Sequence, residues 1–88
     1  MTPPPDRFAG TTPNPVQAGA TLEVHFQGTG AGEVTVTATN GQGEEQEIKI
    51  TLGADGKGTA EFDVPSSGWA VVILEHATSQ DHAVVVSD

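Results

Sequence analysis

Polar and apolar residues alternate along most of this chain with a period of two, which is the pattern of strands that bury one face. In the clearest run, 21–27, the apolar residues Leu22, Val24 and Phe26 share one face and polar residues occupy the other. The same alternation predicts three further strands, at 33–39, 45–52 and 59–64. No window keeps apolar residues at helical spacing without glycine or β-branched interruptions, so we predict no helix.

Turns that contain glycine separate these runs and decide how the strands connect. Asn40-Gly41 predicts a tight hairpin, because a type I′ turn needs a positive φ at both central positions. Asp55-Gly56 predicts a second tight turn. The strand at 45–52 pairs with 33–39 through the first turn, or it crosses over to pair with 59–64. The pattern leaves both pairings open.

The last two runs, 69–76 and 82–86, are apolar on both faces, so their alternation does not by itself mark the inward side. Trp69, Val71 and Ile73 form one row, which we interpret as inward. The outward row is then predicted to be Val72 and Leu74 on the first strand and Ala83 and Val85 on the second. A five-residue loop, 77–81, is expected to join the two strands.

Seven predicted strands, with a turn every ~8–12 residues, indicate an all-β fold, a seven-stranded antiparallel β-sandwich over residues 12–88. The first of these strands is short and lies around Val16. Pro13 and Pro15 confine it to a sheet edge, because proline has no N–H to donate to a neighbouring strand.

Residues 1–11 form a separate zone, predicted to be an extended Pro-rich N-terminal arm without internal hydrogen bonds. The arm is either a loose tail or an anchor that lies along a partner. Arg7 and Phe8 are the only groups in it suited to anchoring. If it is an anchor, deletion of residues 1–11 is expected to abolish docking without unfolding the domain.

Net charge limits the classes of partner. The 88 residues carry a net charge of −9, with Arg7, Lys49 and Lys57 as the only fixed positive charges. Such a surface repels nucleic-acid phosphates and anionic membranes, so we expect neither as a partner. Cysteine is absent, so the fold has no disulfide. The N-terminal residues lack the apolar run of a signal peptide, and we expect the chain to be made in the cytoplasm.

Candidate chemistry is sparse. His76 and His82 flank the last predicted hairpin, where cross-strand pairing would bring their imidazoles close enough for a metal ion. We interpret them instead as exposed hairpin histidines, because no third ligand accompanies them. Glu44, Glu45 and Glu47 read as a solvated charge run rather than a calcium loop. We therefore expect no catalytic residue, no metal and no cofactor, and we do not expect an enzyme.

Two stretches resemble bacterial and phage immunoglobulin-like or fibronectin-III-like domains. The run from Pro15 to Phe26 is similar to the first two strands of such modules. The runs 58–65 and 68–72 are similar to two later strands and the turn between them, with Trp69 near the usual corner aromatic. The resemblance covers about residues 12–87 and lacks the two cysteines and the corner tyrosine of antibody domains. It implies a fold, with 21–27 and 59–64 in one sheet, and carries over no functional residue.

The predicted outer faces of the two sheets differ. One carries Glu23, His25, Glu61 and Asp63. The other carries Thr35 and Thr37 with the outward apolar row, and an exposed apolar patch on a small domain usually marks an interface. We therefore expect a structural protein of a virion surface, a capsid decoration protein that docks on a protein lattice. The predicted partner-binding residues are Arg7, Phe8, Val72, Leu74, Ala83 and Val85.

Two alternatives stay open at this point. A cell-surface or secreted adhesion or carbohydrate-binding module shares the same fold, and Trp69 is its only large stacking ring. Self-association through the apolar face is the other, which would make the chain its own partner.

Overall fold

The chain folds into eight strands, and the structure, a computed structural model, describes residues 7–77 and 79–87. The strands are β1 (Arg7–Thr12), β2 (Val16–Gln17), β3 (Thr21–Gln27), β4 (Gly32–Thr39), β5 (Glu45–Leu52), β6 (Lys57–Asp63), β7 (Val71–His76) and β8 (Ser79–Val86). They form two sheets, β1-β3-β6 and β2-β8-β7-β4-β5, which pack into a sandwich. The described residues contain no helix of the length and apolarity needed to cross a membrane.

The core lies between the two sheets and consists mostly of aliphatic side chains. Phe26, Leu22, Ile50 and Leu74 are its largest fully buried members. Every second residue of a strand points inward, so each alternating run of the sequence delivers one apolar row. The buried apolar residues are Val16, Leu22, Val24, Phe26, Val36, Ala38, Ile48, Ile50, Leu52, Phe62, Val64, Trp69, Val72, Leu74, Ala83 and Val85. The inward faces predicted for the runs at 21–27, 33–39, 45–52 and 59–64 are thereby confirmed.

The predicted strand count of seven is wrong, because part of the predicted arm is a strand. Residues 7–12 form β1, which pairs antiparallel with β3 at the edge of the three-stranded sheet. The ring of Phe8 packs edge-on against Phe26, with the two centroids 5.2 Å apart. Residues 7–11 therefore belong to the sandwich, while residues 1–6 of the predicted arm lie outside the described residues.

The sequence does not predict β1 as a strand, because a bulge interrupts its alternation of polar and apolar residues. The register with β3 shifts between Phe8 and Gly10, which leaves Ala9 as the extra residue. Gly10 has a φ of 133°, a conformation that glycine adopts more easily than other residues. A bulge of this kind bends an edge strand and blunts it against pairing with other chains.

The hairpin at Asn40-Gly41 joins β4 to β5, which resolves the pairing that the sequence left open. The predicted type I′ geometry is wrong, because Gly41 has a positive φ of 77° but Asn40 does not. The loop is longer, spanning residues 40–44 between the paired Thr39 and Glu45. Asn40 shapes it through its own side chain rather than through its backbone conformation.

Asn40 is the only buried polar residue of the described chain, and both the oxygen and the nitrogen of its side-chain amide are hydrogen-bonded. Its Oδ1 accepts hydrogen bonds from the backbone N–H groups of Gln42, at 2.8 Å, and of Glu44, at 3.2 Å. Its Nδ2 donates to the carbonyl oxygen of Gly68 at 3.0 Å. Glu44 in turn accepts a hydrogen bond from the indole Nε1 of Trp69 at 2.9 Å. Asn40 thus ties the β4–β5 loop to the segment that precedes β7.

The last hairpin is tighter than predicted. His76 pairs with Ser79, so only residues 77 and 78 separate β7 from β8, and Ala77 has a φ of 51°. The predicted five-residue loop, 77–81, is therefore wrong, and β8 is longer at its start than the run 82–86. This places His82 opposite Ile73 and moves it away from His76.

β6 passes close to β5 at Gly58, where no side chain fits. A Cβ at this position would lie 2.7 Å from the carbonyl oxygen of Thr51 and from methyl carbons of Ile50 and Leu52. The turn before it forms as predicted: Gly56 has a φ of 81°, and Gly53 donates to the carbonyl oxygen of Lys57 at 3.0 Å.

Asn40→Asp is expected to lower the free energy of unfolding by about 1–3 kcal/mol, because the carboxylate cannot donate to Gly68 and carries a buried charge. Asn14→Asp is the matched control. Within the described residues Asn14 is hydrogen-bonded as an acceptor, with its Oδ1 3.0 Å from the backbone nitrogen of Val84, and a carboxylate accepts equally well. Urea unfolding followed by the fluorescence of Trp69 measures both variants. Equal stability of the two variants would contradict the role given to Asn40.

Gly58→Ala is expected to cost about 1–3 kcal/mol, since its methyl group would force β6 away from the backbone of Thr51. Gly30→Ala is its control, because a Cβ at Gly30 meets no atom within 4 Å. Thermal unfolding by circular dichroism should show a lower Tm for Gly58→Ala alone. A Tm equal to that of the control would mean that β5 and β6 are not in close contact.

Candidate interaction surface

The outer face of the five-stranded sheet carries the one group of exposed large apolar side chains in the described chain. Val84 and Val86 are 46% and 40% exposed, and Val71 and Ile73 beside them are half-buried. Val84 lies directly opposite Val71 in the β7–β8 ladder. We call these four residues, Val71, Ile73, Val84 and Val86, the apolar patch.

An open groove of about 550 Å³ borders the apolar patch. It is lined by Val71, Ile73, Gln80, Asp81 and His82. One wall is therefore aliphatic and the other offers an amide, a carboxylate and an imidazole. Such a groove suits a protruding side chain with an apolar stem and a polar tip.

Beyond the patch, the same face becomes polar and then acidic. Ile73 is level with Thr39 on β4, and Thr39 is paired with Glu45 on β5. One row further along, Glu75 is level with Thr37, which is paired with Glu47. Apart from Asp81 in the groove wall, the carboxylates of this face stand two strands away from the patch or beyond its end, so the patch residues themselves are uncharged.

The backbone edge of β8, next to the patch, is covered. The N–H of Val84 donates to Oδ1 of Asn14 at 3.0 Å, and the N–H of His82 donates to Oδ1 of Asp81 at 2.8 Å. β2 pairs in parallel with the end of β8, opposite Val85 and Val86. Since these groups are satisfied, the surface offers a partner its side chains rather than an open strand.

The predicted partner-binding residues are not on this surface. Val72, Leu74 and Ala83 are fully buried and Val85 is 9% exposed, so the predicted outward row is the core row. Arg7 is exposed at the start of β1, in the other sheet. Phe8 is half-buried against Phe26, and the six residues form no common surface.

The prediction of the outward row is wrong because Trp69 is buried outside the strand. The chain bends at Ala70, which is exposed, and β7 begins only at Val71. The inward position of Trp69 therefore does not carry over to Val71 and Ile73. A better signal was available: Glu75 shares the row of Val71 and Ile73, and a row that ends in a charged residue usually faces water.

The alternation in β8 likewise indicates which row faces solvent. Gln80 and His82 share a row with Val84 and Val86, while Ala83 and Val85 stand on the opposite side. The outward threonines of β4 and the acidic outer face of the other sheet, with Glu23, His25, Glu61 and Asp63, are where the sequence placed them.

The histidines are spread over different faces. The ring of His76 packs edge-on against Phe26 at a centroid distance of 5.2 Å, and its Nδ1 lies 3.0 Å from the carbonyl oxygen of Thr35. His82 is exposed on the outer face of β8, so the two rings are not cross-strand neighbours. His25 lies in the other sheet, with its Nδ1 3.1 Å from Oγ1 of Thr59. Within residues 7–77 and 79–87, no three His, Asp or Glu side chains form a group that could hold a metal ion.

Comparison of this chain with protein families, curated proteins and solved structures finds no match.

A pair of aspartate substitutions on adjacent residue rows tests which row faces water. Val84→Asp is expected to cost about 1 kcal/mol or less, because its side chain stays in solvent. Val72→Asp is expected to cost at least about 3 kcal/mol or to prevent folding, because it buries an unpaired charge. Urea unfolding measures both. A destabilising Val84→Asp beside a tolerated Val72→Asp would restore the row predicted from the sequence.

Proposed function

We propose that this chain is a non-enzymatic interaction module that docks on another protein through the apolar patch. The observation that carries the proposal is the exposure of Val84 and Val86 on the same sheet face as Val71 and Ile73. Strand side chains are held by the ladder, so the patch is preorganised and little entropy is lost on docking.

The surrounding charge supports a partner of a particular kind. The chain carries a net charge of −9, yet none of the four patch residues is charged. A partner surface with an apolar centre and a neutral or basic rim would fit, whereas an acidic rim would be repelled. Acidic residues on the remaining surface also disfavour docking elsewhere.

The immunoglobulin-like assignment is part of the same proposal. The partition of strands supports it, with β3 and β6 in one sheet and β4, β7 and β8 in the other, as the resemblance implies. The burial of Trp69 beneath the β4–β5 loop counts against the carbohydrate-binding alternative, because a buried ring offers no stacking platform.

For the partner we propose a protein lattice, such as the capsid of a virion, on which the chain acts as a decoration protein. A small sandwich with one uncharged docking face can occupy each of many equivalent positions. Its acidic remaining surface would then face solvent and favour solubility.

Sedimentation of virus particles from a source that encodes the chain tests this proposal. We expect the chain to migrate with the particles and Val84→Asp to remain at the top of the gradient. Ala9→Asp is the control, an exposed apolar residue of the other sheet that gains the same charge. Particle binding by Val84→Asp at the level of the control would contradict docking through the patch, and a wild-type chain absent from the particles would contradict the lattice.

A further inference from the structure

The two long sides of the sandwich differ in whether the backbone groups of their edge strands are hydrogen-bonded. On the side of β1 and β8, side chains cover the backbone: Ser79 Oγ accepts from the N–H of Phe8 at 3.3 Å, and Asn14 covers Val84. On the side of β5 and β6, no hydrogen bond from elsewhere in residues 7–77 and 79–87 reaches the outer edge of β5 between Glu45 and Ile50. That edge offers unpaired N–H and C=O groups to another strand.

β5 also lacks the backbone features that blunt an edge. It is eight residues long, contains no proline, and pairs with β4 through eight consecutive positions without a bulge. β1 has its bulge at Ala9, and β2 has only two residues. A long, regular, open edge of this kind is suited to pairing with a further strand.

The side chains of β5 are complementary to a second copy of themselves. When two β5 strands pair antiparallel about a twofold axis at Ile48, each Glu47 stands directly opposite Lys49 of the second copy. Both residues are exposed on the outer face, so the two reciprocal pairs lie side by side in solvent. Opposite charges at directly paired positions stabilise a ladder.

Neighbouring registers are less favourable. An axis at Glu47 also sets Glu45 opposite Lys49 of the second copy, but it puts the two Glu47 side chains against each other. An axis at Lys49 sets two lysines together. Like charges directly opposite destabilise a ladder, and a slip by one residue would turn the second copy over, so that its Ile48 row would lie beside the solvent-facing row of the first. The register centred on Ile48 is therefore favoured over its neighbours by charge and by burial together.

We propose that two copies of this chain form a symmetric dimer by antiparallel pairing of their β5 edges about Ile48. The two five-stranded sheets then become one continuous ten-stranded sheet. The dimer also covers the open groove of about 540 Å³ between β5 and β6, whose apolar lining comes from Ile48, Ala60 and Phe62.

This dimer is separate from docking through the apolar patch. A twofold axis perpendicular to a sheet leaves both outer faces on the same side, so both patches point the same way. Two patches on one rigid body would bind a repeating surface with higher avidity than one. The dimer does not depend on this gain in avidity, because the apolar patch takes no part in the β5–β5 contact.

Charge exchange tests the dimer. We expect sedimentation equilibrium of the purified chain at 0.15 M salt, where repulsion between net charges is screened beyond ~8 Å, to show a reversible dimer. Glu47→Lys and Lys49→Glu should each raise its Kd by about tenfold or more, since each puts like charges opposite each other twice. The double variant Glu47→Lys/Lys49→Glu should restore the Kd to within about threefold, which general loss of folding would not do.

The control variants match the change in net charge. Glu23→Lys changes it as Glu47→Lys does, and Arg7→Glu changes it as Lys49→Glu does, and all four residues are exposed on strands. We expect the controls to dimerise like the wild type. Circular dichroism and the fluorescence of Trp69 confirm that each variant is folded.

Three results would overturn the proposal. The first is a wild-type chain that stays monomeric up to about 1 mM, the weak limit of specific association. The second is a dimer whose Kd responds to the single variants no more than to the controls. The third is a dimer lost in Val84→Asp and kept in Glu47→Lys, which would make the apolar patch the self-association surface. Hydrogen exchange that slows at 45–51 as concentration rises would support pairing at β5 directly.

Discussion

The packing of two apolar strand faces against each other is the constraint on which the rest of this structure depends. The chain has no cysteine and only four aromatic residues, so neither a disulfide nor a large aromatic cluster is available. Aliphatic rows from both sheets, with Phe26 and Trp69, supply the core instead. In a chain of 88 residues, losing one row would remove a large share of the buried surface.

That constraint decides where the surface is free to vary. Once one row of each strand is committed to the core, the other row faces solvent, and there the two sheets diverge. The three-stranded sheet shows Glu23 and Glu61 outside, while the β7–β8 hairpin shows Val84 and Val86. The fold does not require apolar residues at the positions of the apolar patch. An exposed apolar cluster at such positions is typical of an interaction surface.

The edges of the sheets carry a second distinction. The edge of β8 is covered by Asn14, Asp81 and β2, whereas the edge of β5 is open from Glu45 to Ile50. Asn14 is held by the segment in which the chain crosses from one sheet to the other, so closure of this side follows from the topology. The apolar patch, proposed to dock on a partner, and the β5 edge, proposed to form the dimer, thus lie on different parts of the same sheet. A substitution can therefore change one of these surfaces without changing the other.

The alternating runs by themselves determined the all-β fold, the inward rows of β3 to β6 and the acidic face. In a strand that alternates apolar and polar residues, only the apolar side can face the core. The sequence did not determine the outward row of β7 and β8. Both rows there are apolar, so burial energy alone does not choose between them. The chain also bends at Ala70, so the row that alternates with the buried Trp69 is not the row that faces the core in β7. It also missed β1, whose bulge at Ala9 breaks the alternation. Only the tertiary structure decided these points, since pairing with β3, β4 and β2 fixes which side of each strand meets the core.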